Sequence, residues 1–323
     1  MCKKNVKFLH ISRLSSNFAT MKRYFIHLSY DGTRYHGWQV QPCAMTVQGE
    51  IERCLSVLLQ RAVSVTGAGR TDTGVHAAHM VAHFDVPDTS ETFSEADGLR
   101  LGEVLHDIDE VQLAYRLNRM LPPDIVVYKI EPVAEDMHAR FSAKWRTYHY
   151  YVTTFQTPFS RHYTWEAFTW KDSDGVRRTL DFQLMNEAAA MLLEYKDFAS
   201  FCKVHTDVKT TLCNVAEARW MPVPSASLPM SSVSCPISSA SDSMSSVSCP
   251  MSEVSQAPTD WVFVIKANRF LRNMVRAIVG TLVEVGRHRM TLEQFRVVLE
   301  SKQRTRAGES MPANALFLQQ IEY

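Results

Sequence analysis

An α+β fold is what this 323-residue sequence predicts. Short runs of β-branched and aromatic residues alternate with period two. They fall in hairpin-like pairs, with segments of helical periodicity interspersed among them. A chain of this length can bury a large core as two lobes. The expected division is 21–135 and 136–323, preceded by a disordered extension over residues 1–20, which makes Met21 a plausible initiator.

The elements justify that reading in order. Residues 22–30 alternate as a strand, and Thr46 opens a helix over 46–60. Val63 and Val65 predict a short strand at 63–66, and Met80 to Val86 another at 80–86. A helix is predicted at 111–120 and a strand at 125–131. The run Arg146-Thr147-Tyr148-His149-Tyr150 begins a strand at 146–153. A helix at 181–193 follows, then strands at 215–220 and 261–266 that read as one hairpin. Helices are predicted at 269–285 and 291–301, the second opened by a capping box, Thr291 with Gln294 three residues on.

Two segments stand apart from this pattern. Residues 222–259 are dominated by Ser, Pro, Met and Val and repeat Met-Ser-Ser-Val-Ser-Cys-Pro at Met230 and Met244. Such a segment cannot bury enough surface to offset its ordering entropy, so it is expected to be disordered. As a long hairpin loop it costs little stability, because closure entropy grows logarithmically with length. An acidic stretch near 88–110 reads as a second insertion. The seven cysteines are scattered, with no Cys-x-x-Cys pair, which argues against a disulfide framework or a thiolate metal site and for a reducing cytoplasm. No run of eighteen or so apolar residues suggests a membrane span. The net charge of +1 is uninformative, but Lys266, Arg269, Arg272, Arg276, Arg287 and Arg289 face a single acid, Glu284, and mark a candidate RNA surface.

The most informative stretch is Gly67-Ala68-Gly69-Arg70-Thr71-Asp72-Thr73-Gly74-Val75-His76-Ala77. Its glycines imply an irregular backbone where a side chain meets a ligand at close range. By itself Asp72 also reads as a turn residue bonding its own backbone. The motif Arg-Thr-Asp-x-Gly-Val-His-Ala, however, resembles the signature of the tRNA pseudouridine synthase A family. So do Tyr30-Asp31-Gly32 to Gln39, Thr46-Val47-Gln48-Gly49, His138-Ala139-Arg140-Phe141-Ser142-Ala143 with Arg146-Thr147-Tyr148, Lys266 to Leu282, and Pro312 to Leu318. The resemblance runs from about Met21 to the end. It implies two ferredoxin-like lobes with joined, mainly antiparallel sheets around a central cleft. It also implies a homodimer that binds tRNA, no cofactor or metal, and conversion of uridine to pseudouridine at positions 38 to 40 of the anticodon stem-loop.

In that family the residue matching Asp72 is the nucleophile, and a carboxylate suits a reaction needing a group that adds and leaves. Arg70 is expected as its counter-charge, or as a phosphate contact. Tyr148 aligns with the tyrosine that lies against the target base, while Tyr150 and Tyr151 read as core. Arg276, four residues after Arg272, is expected to be partly buried and aimed at the carboxylate or a phosphate. Base flipping is implied for a stem target. His138, Arg140, Lys203, Lys209 and Arg269 are the candidate RNA contacts, and Leu316 and Leu318 are assigned to packing. Two rival readings remain: a non-catalytic tRNA-binding module, and a metal hydrolase built on His76, His79 and His83 with Asp72 and Asp85.

Overall fold

The computed structural model describes residues 21–87, 108–155, 158, 160–167, 170–171, 175–203, 209–223 and 260–323. The expectations for residues 1–20, 88–107 and 224–259 lie outside these. In chain order the elements are β1 (Met21–Tyr30), α1 (Val47–Leu58), β2 (Thr66–Gly67), β3 (His76–Pro87), α2 (Glu110–Met120), β4 (Ile125–Val133), β5 (Trp145–Thr153), β6 (Trp165–Glu166), β7 (Trp170–Lys171), β8 (Arg177–Arg178), α3 (Phe182–Met191), β9 (Val215–Val223), β10 (Asp260–Ala267), α4 (Met274–Gly286), α5 (Leu292–Ser301) and β11 (Leu316–Glu322).

Mixed α/β content surrounds a mostly antiparallel nine-stranded sheet, whose strands run β4-β1-β3-β11-β5-β10-β9, with β2 added beside β3 and β6 beside β5, while β7 and β8 form a separate antiparallel pair. β11 lies parallel to β3 and antiparallel to β5, so this last strand joins the two halves of the sheet. Apolar residues of the sheet, such as Ile26, Leu28, Phe84, Tyr150 and Phe263, share one continuous core with Ile51 and Leu55 of α1, Met185 of α3 and Ile278 of α4. Their burial drives helix onto sheet.

Most elements fall where periodicity places them, and the exceptions have local causes. At 63–66 only Thr66 and Gly67 are strand. Val63 N–H donates to Ser56 Oγ and Val65 N–H to Glu52 Oε1, so side chains of α1 satisfy the backbone that a neighbouring strand would otherwise pair. Residues 108–110, expected within the acidic stretch, belong to the start of α2, since Ile108 is buried and Asp109 caps the helix by accepting from Gln112 N–H. β9 likewise continues through Pro222 and Val223, which the sequence assigned to the Ser-rich segment.

The largest departure lies before α4. The helix predicted from 269 starts at Met274, since Asn273 adopts a left-handed φ of 65° and its Nδ2 donates to Ser310 Oγ. Asparagine tolerates that conformation better than most residues. Arg269, Phe270 and Arg272 are thereby released from a helix face into a turn. The predicted capping box at Thr291 and Gln294 is present, with both reciprocal hydrogen bonds.

Candidate active site

The loop carrying Asp72 is fastened at both ends and in the middle. At its start, Ala68 N–H donates to Val81 O. In the middle, Tyr30 Oη and Thr71 Oγ1 lie 2.8 Å apart, and Trp38 N–H donates to Thr71 O. A turn closed by Val75 N–H on Asp72 O carries the carboxylate, with Gly74 at φ 76°. The Tyr30 to Gln39 segment packs against this loop so closely that a Cβ on Gly32 would lie 2.0 Å from Val75 O, and one on Gly37 2.5 Å from Thr71 O. Those two glycines are required by the approach of backbone to backbone.

Asp72 opens onto a cleft of about 830 Å³. Arg70, Arg140, Arg146, Tyr148, Arg269, Phe270, Arg272 and Arg276 also line it. The cation paired with Asp72 is Arg272, with Nε 3.6 Å from Oδ1, rather than the expected Arg70. The left-handed residue Asn273 accounts for the exchange, because it turns Arg272 out of α4. Arg70 is exposed, and it and Arg269 both stand near Arg140. Burial first, and then those two neighbours, depress the pKa of Arg140. Among the described residues none of the three has a carboxylate at ion-pair distance, so this cluster is prepared for an anion such as a phosphodiester.

Tyr148 lies deep in the cleft, 8% exposed, with its ring edge-on to Phe270 at 4.9 Å between centroids. Burial, opposed in part by Arg146 and reinforced by Asp72, pushes its pKa up to about 12. The phenol therefore keeps its proton at neutral pH and offers a hydrogen bond as well as an aromatic face. Tyr150 is fully buried and donates to Pro312 O, whereas Tyr151 is half-buried against Phe317.

Arg146 is the functional-site residue that sequence reasoning passed over. Its guanidinium is buried and donates to four backbone carbonyls, those of Ala68, Arg140, Ala143 and Asn268. It thus ties the Asp72 loop to the loop before β5 and to the end of β10. The alternation Arg146, Tyr148, Tyr150, Val152 puts it on the buried face of β5, which was the available signal.

The remaining candidates divide. Arg276 lines the cleft and donates from Nε to Met311 O. Leu316 also reaches the cleft, while Leu318 is core. His138 does not line the cleft: its Nδ1 accepts from the N–H groups of Arg140 and Phe141, and its ring packs on His83. Lys203 and Lys209 lie outside it too; Lys203 N–H donates to Arg272 O, and Lys209 is exposed.

The three histidines of the metal reading point to separate environments. His76 lies between Asp31 and Asn314 O, His79 stacks on His27, and His83 Nδ1 accepts from Ala139 N–H. Among the described residues no cluster of three or more His, Cys, Asp or Glu side chains has metal-holding geometry. His83 also has a consequence for acid stability. Burial, with Arg23 and His138 nearby, lowers its pKa to about 4. The unfolded chain, titrating near 6.5, then binds more protons between those values, so stability is full above pH 6.5 and falls as pH drops toward 4. At pH 5 this histidine alone costs about 2 kcal/mol. Urea unfolding should show that loss relative to pH 7.5, and His83→Gln should flatten the dependence. An unchanged slope in the variant would refute the assignment.

A family model described as tRNA pseudouridine synthase matches residues 188–323. Curated relatives named tRNA pseudouridine synthase A are similar in sequence along nearly the whole chain. The protein of Bacteroides thetaiotaomicron is 46% identical over 94% of this chain and 91% of its own length. That of Bacteroides fragilis is 44% identical over 94% and 97%, and that of Porphyromonas gingivalis 44% over 94% and 98%. With this identity spanning both halves of the sheet and the loop that carries Asp72, the chain belongs to the tRNA pseudouridine synthase A family.

Proposed function

We propose that this chain isomerises uridine to pseudouridine at positions 38 to 40 in the anticodon stem-loop of tRNA, with Asp72 as the nucleophile. The observation that carries the reading is a half-buried carboxylate in a cationic cleft, paired to Arg272 and sharing the cleft with Tyr148. The C1'–N1 bond breaks with its electron pair leaving on the uracil, the base turns, and C5 bonds to C1'. The proton lost from C5 is matched by one gained at N1, so no co-reactant is consumed. Asp72 adds to the sugar or the base and is expelled when the new bond forms. Arg272 stands beside it as the counter-charge, and Arg276 helps to shape the same wall. Tyr148 stacks on the uracil and relays a proton through its neutral hydroxyl. Arg70, Arg140 and Arg269 hold phosphates that flank the extruded nucleotide.

The two-lobe ferredoxin-like architecture belongs to the same proposal. It is supported by connectivity: β1-α1-β2-β3-α2-β4 with spatial order β4-β1-β3-β2, and β5-α3-β9-β10-α4-β11 with order β11-β5-β10-β9. The division at 135/136 falls between them. A homodimer in the cytoplasm completes the reading on family membership, and light scattering checks the dimer. Among the described residues no helix is long and apolar enough to cross a membrane. The deciding assay incubates the purified chain with unmodified tRNA and maps pseudouridine along the product. Product in the anticodon stem-loop is expected. Binding without product would favour the non-catalytic module.

A further inference from the structure

Phe141 is the large apolar side chain that the cleft leaves most open to solvent. It is 79% exposed, yet it shares the cavity with Asp72, Arg70, Arg140 and Arg269. Solvating a phenylalanine ring at a site selected for cations makes sense where a flat apolar partner is to be received. The segment bearing it is held rigidly. His138 Nδ1 accepts from Arg140 N–H at 3.0 Å and from Phe141 N–H at 3.2 Å, and His138 N–H donates to Ser142 Oγ at 2.9 Å. Arg140 O is bound by Arg146, and Ala139 O accepts from Tyr323 Oη. The His138 ring supports the phenyl ring from one side, with centroids 4.3 Å apart. A braced aromatic ring beside guanidinium groups that have no carboxylate partner among the described residues matches what a nucleobase and its phosphate present together.

We propose that Phe141 is a stacking wedge: it lies against a base flanking the target and fills the space that the uridine leaves in the stem when it turns toward Asp72. The inference rests on the tRNA reading above. It makes Phe141 a positioning residue, acting on the opening of the helix and not on the bond exchange. Tyr148, 8% exposed and deep in the same cleft, receives the extruded base, while Phe141 stays with the stem.

The test compares wild type, Phe141→Ala and Phe141→Trp on two anticodon stem-loop RNAs. In one the target uridine is paired, and in the other it faces a mismatch that leaves it already unstacked. Single-turnover pseudouridine formation by Phe141→Ala should fall about ten- to a hundredfold on the paired RNA, as loss of one stacked base would require. The loss should shrink to within about threefold on the mismatched RNA, where the unpairing cost is removed in advance. Phe141→Trp should keep most of the activity. Equal losses on both RNAs, no loss on either, or a change in oligomeric state of Phe141→Ala by light scattering would overturn the wedge. If wild type forms no pseudouridine on either RNA, the functional reading itself fails, an outcome distinct from all of these.

Discussion

Asp72→Asn should fold, bind tRNA and form no detectable pseudouridine, a loss of about 10⁴-fold or more of the kind seen when a covalent nucleophile is removed. The substitution preserves shape and deletes only the charge and the capacity to add to carbon. Stability should barely move. Arg272, the paired cation, is 57% exposed in its side chain and returns to water when the carboxylate is gone. Thermal unfolding and filter binding of tRNA check the first two expectations, and mapped pseudouridine the third. Residual turnover within a hundredfold of wild type would remove Asp72 from the nucleophile's role, whatever the motif around it.

A second large effect is expected at a residue with no part in the bond exchange. Arg146→Met keeps much of the side-chain volume but strands the carbonyls of Ala68, Arg140, Ala143 and Asn268, which the guanidinium holds at 2.6 to 3.3 Å. Unsatisfied buried acceptors cost about 1–3 kcal/mol each, and water entering from the cleft relieves some of them, so a net loss of about 3–5 kcal/mol is expected. Activity should fall even under conditions where the variant remains folded, because the Asp72 loop and the Arg140 loop lose their common tether. Arg146→Lys should recover little, since one ammonium cannot span acceptors spread around a planar fork. A Met variant with the wild-type urea midpoint and rate would show that the tether is dispensable.

Legibility in the sequence followed how local the determining interactions are. Asp72 was readable because its turn, Gly74 and flanking residues are contiguous. The capping box at Thr291 is similarly confined to one helical turn. Arg146 was quoted as part of a motif without a role, since its acceptors lie as far away as Ala68 and Asn268. The choice of Arg272 over Arg70 beside Asp72 depended on a single φ at Asn273, which hydrophobic periodicity does not register. His138, expected at the RNA by motif, braces the backbone of Arg140 and Phe141. A motif marks that a residue matters and leaves open whether it touches the ligand or the residue that does.

The position of β11 bears on how the molecule is made. Leu316 pairs with Tyr150, and Phe317 with His76, a strand translated some 240 residues earlier. During synthesis the first residues of β3, His76 and Ala77, therefore wait without a partner strand on that edge until nearly the whole described chain has left the ribosome, whereas β2 already covers His83 and Ala82. Contacts of such sequence separation form slowly. An exposed edge of that kind is a site for mispairing with another nascent chain. Completion of the start of β3 and joining of the two halves are thus the same late event, and a chain interrupted before residue 316 would carry the Asp72 loop without the strand that β11 adds beside it.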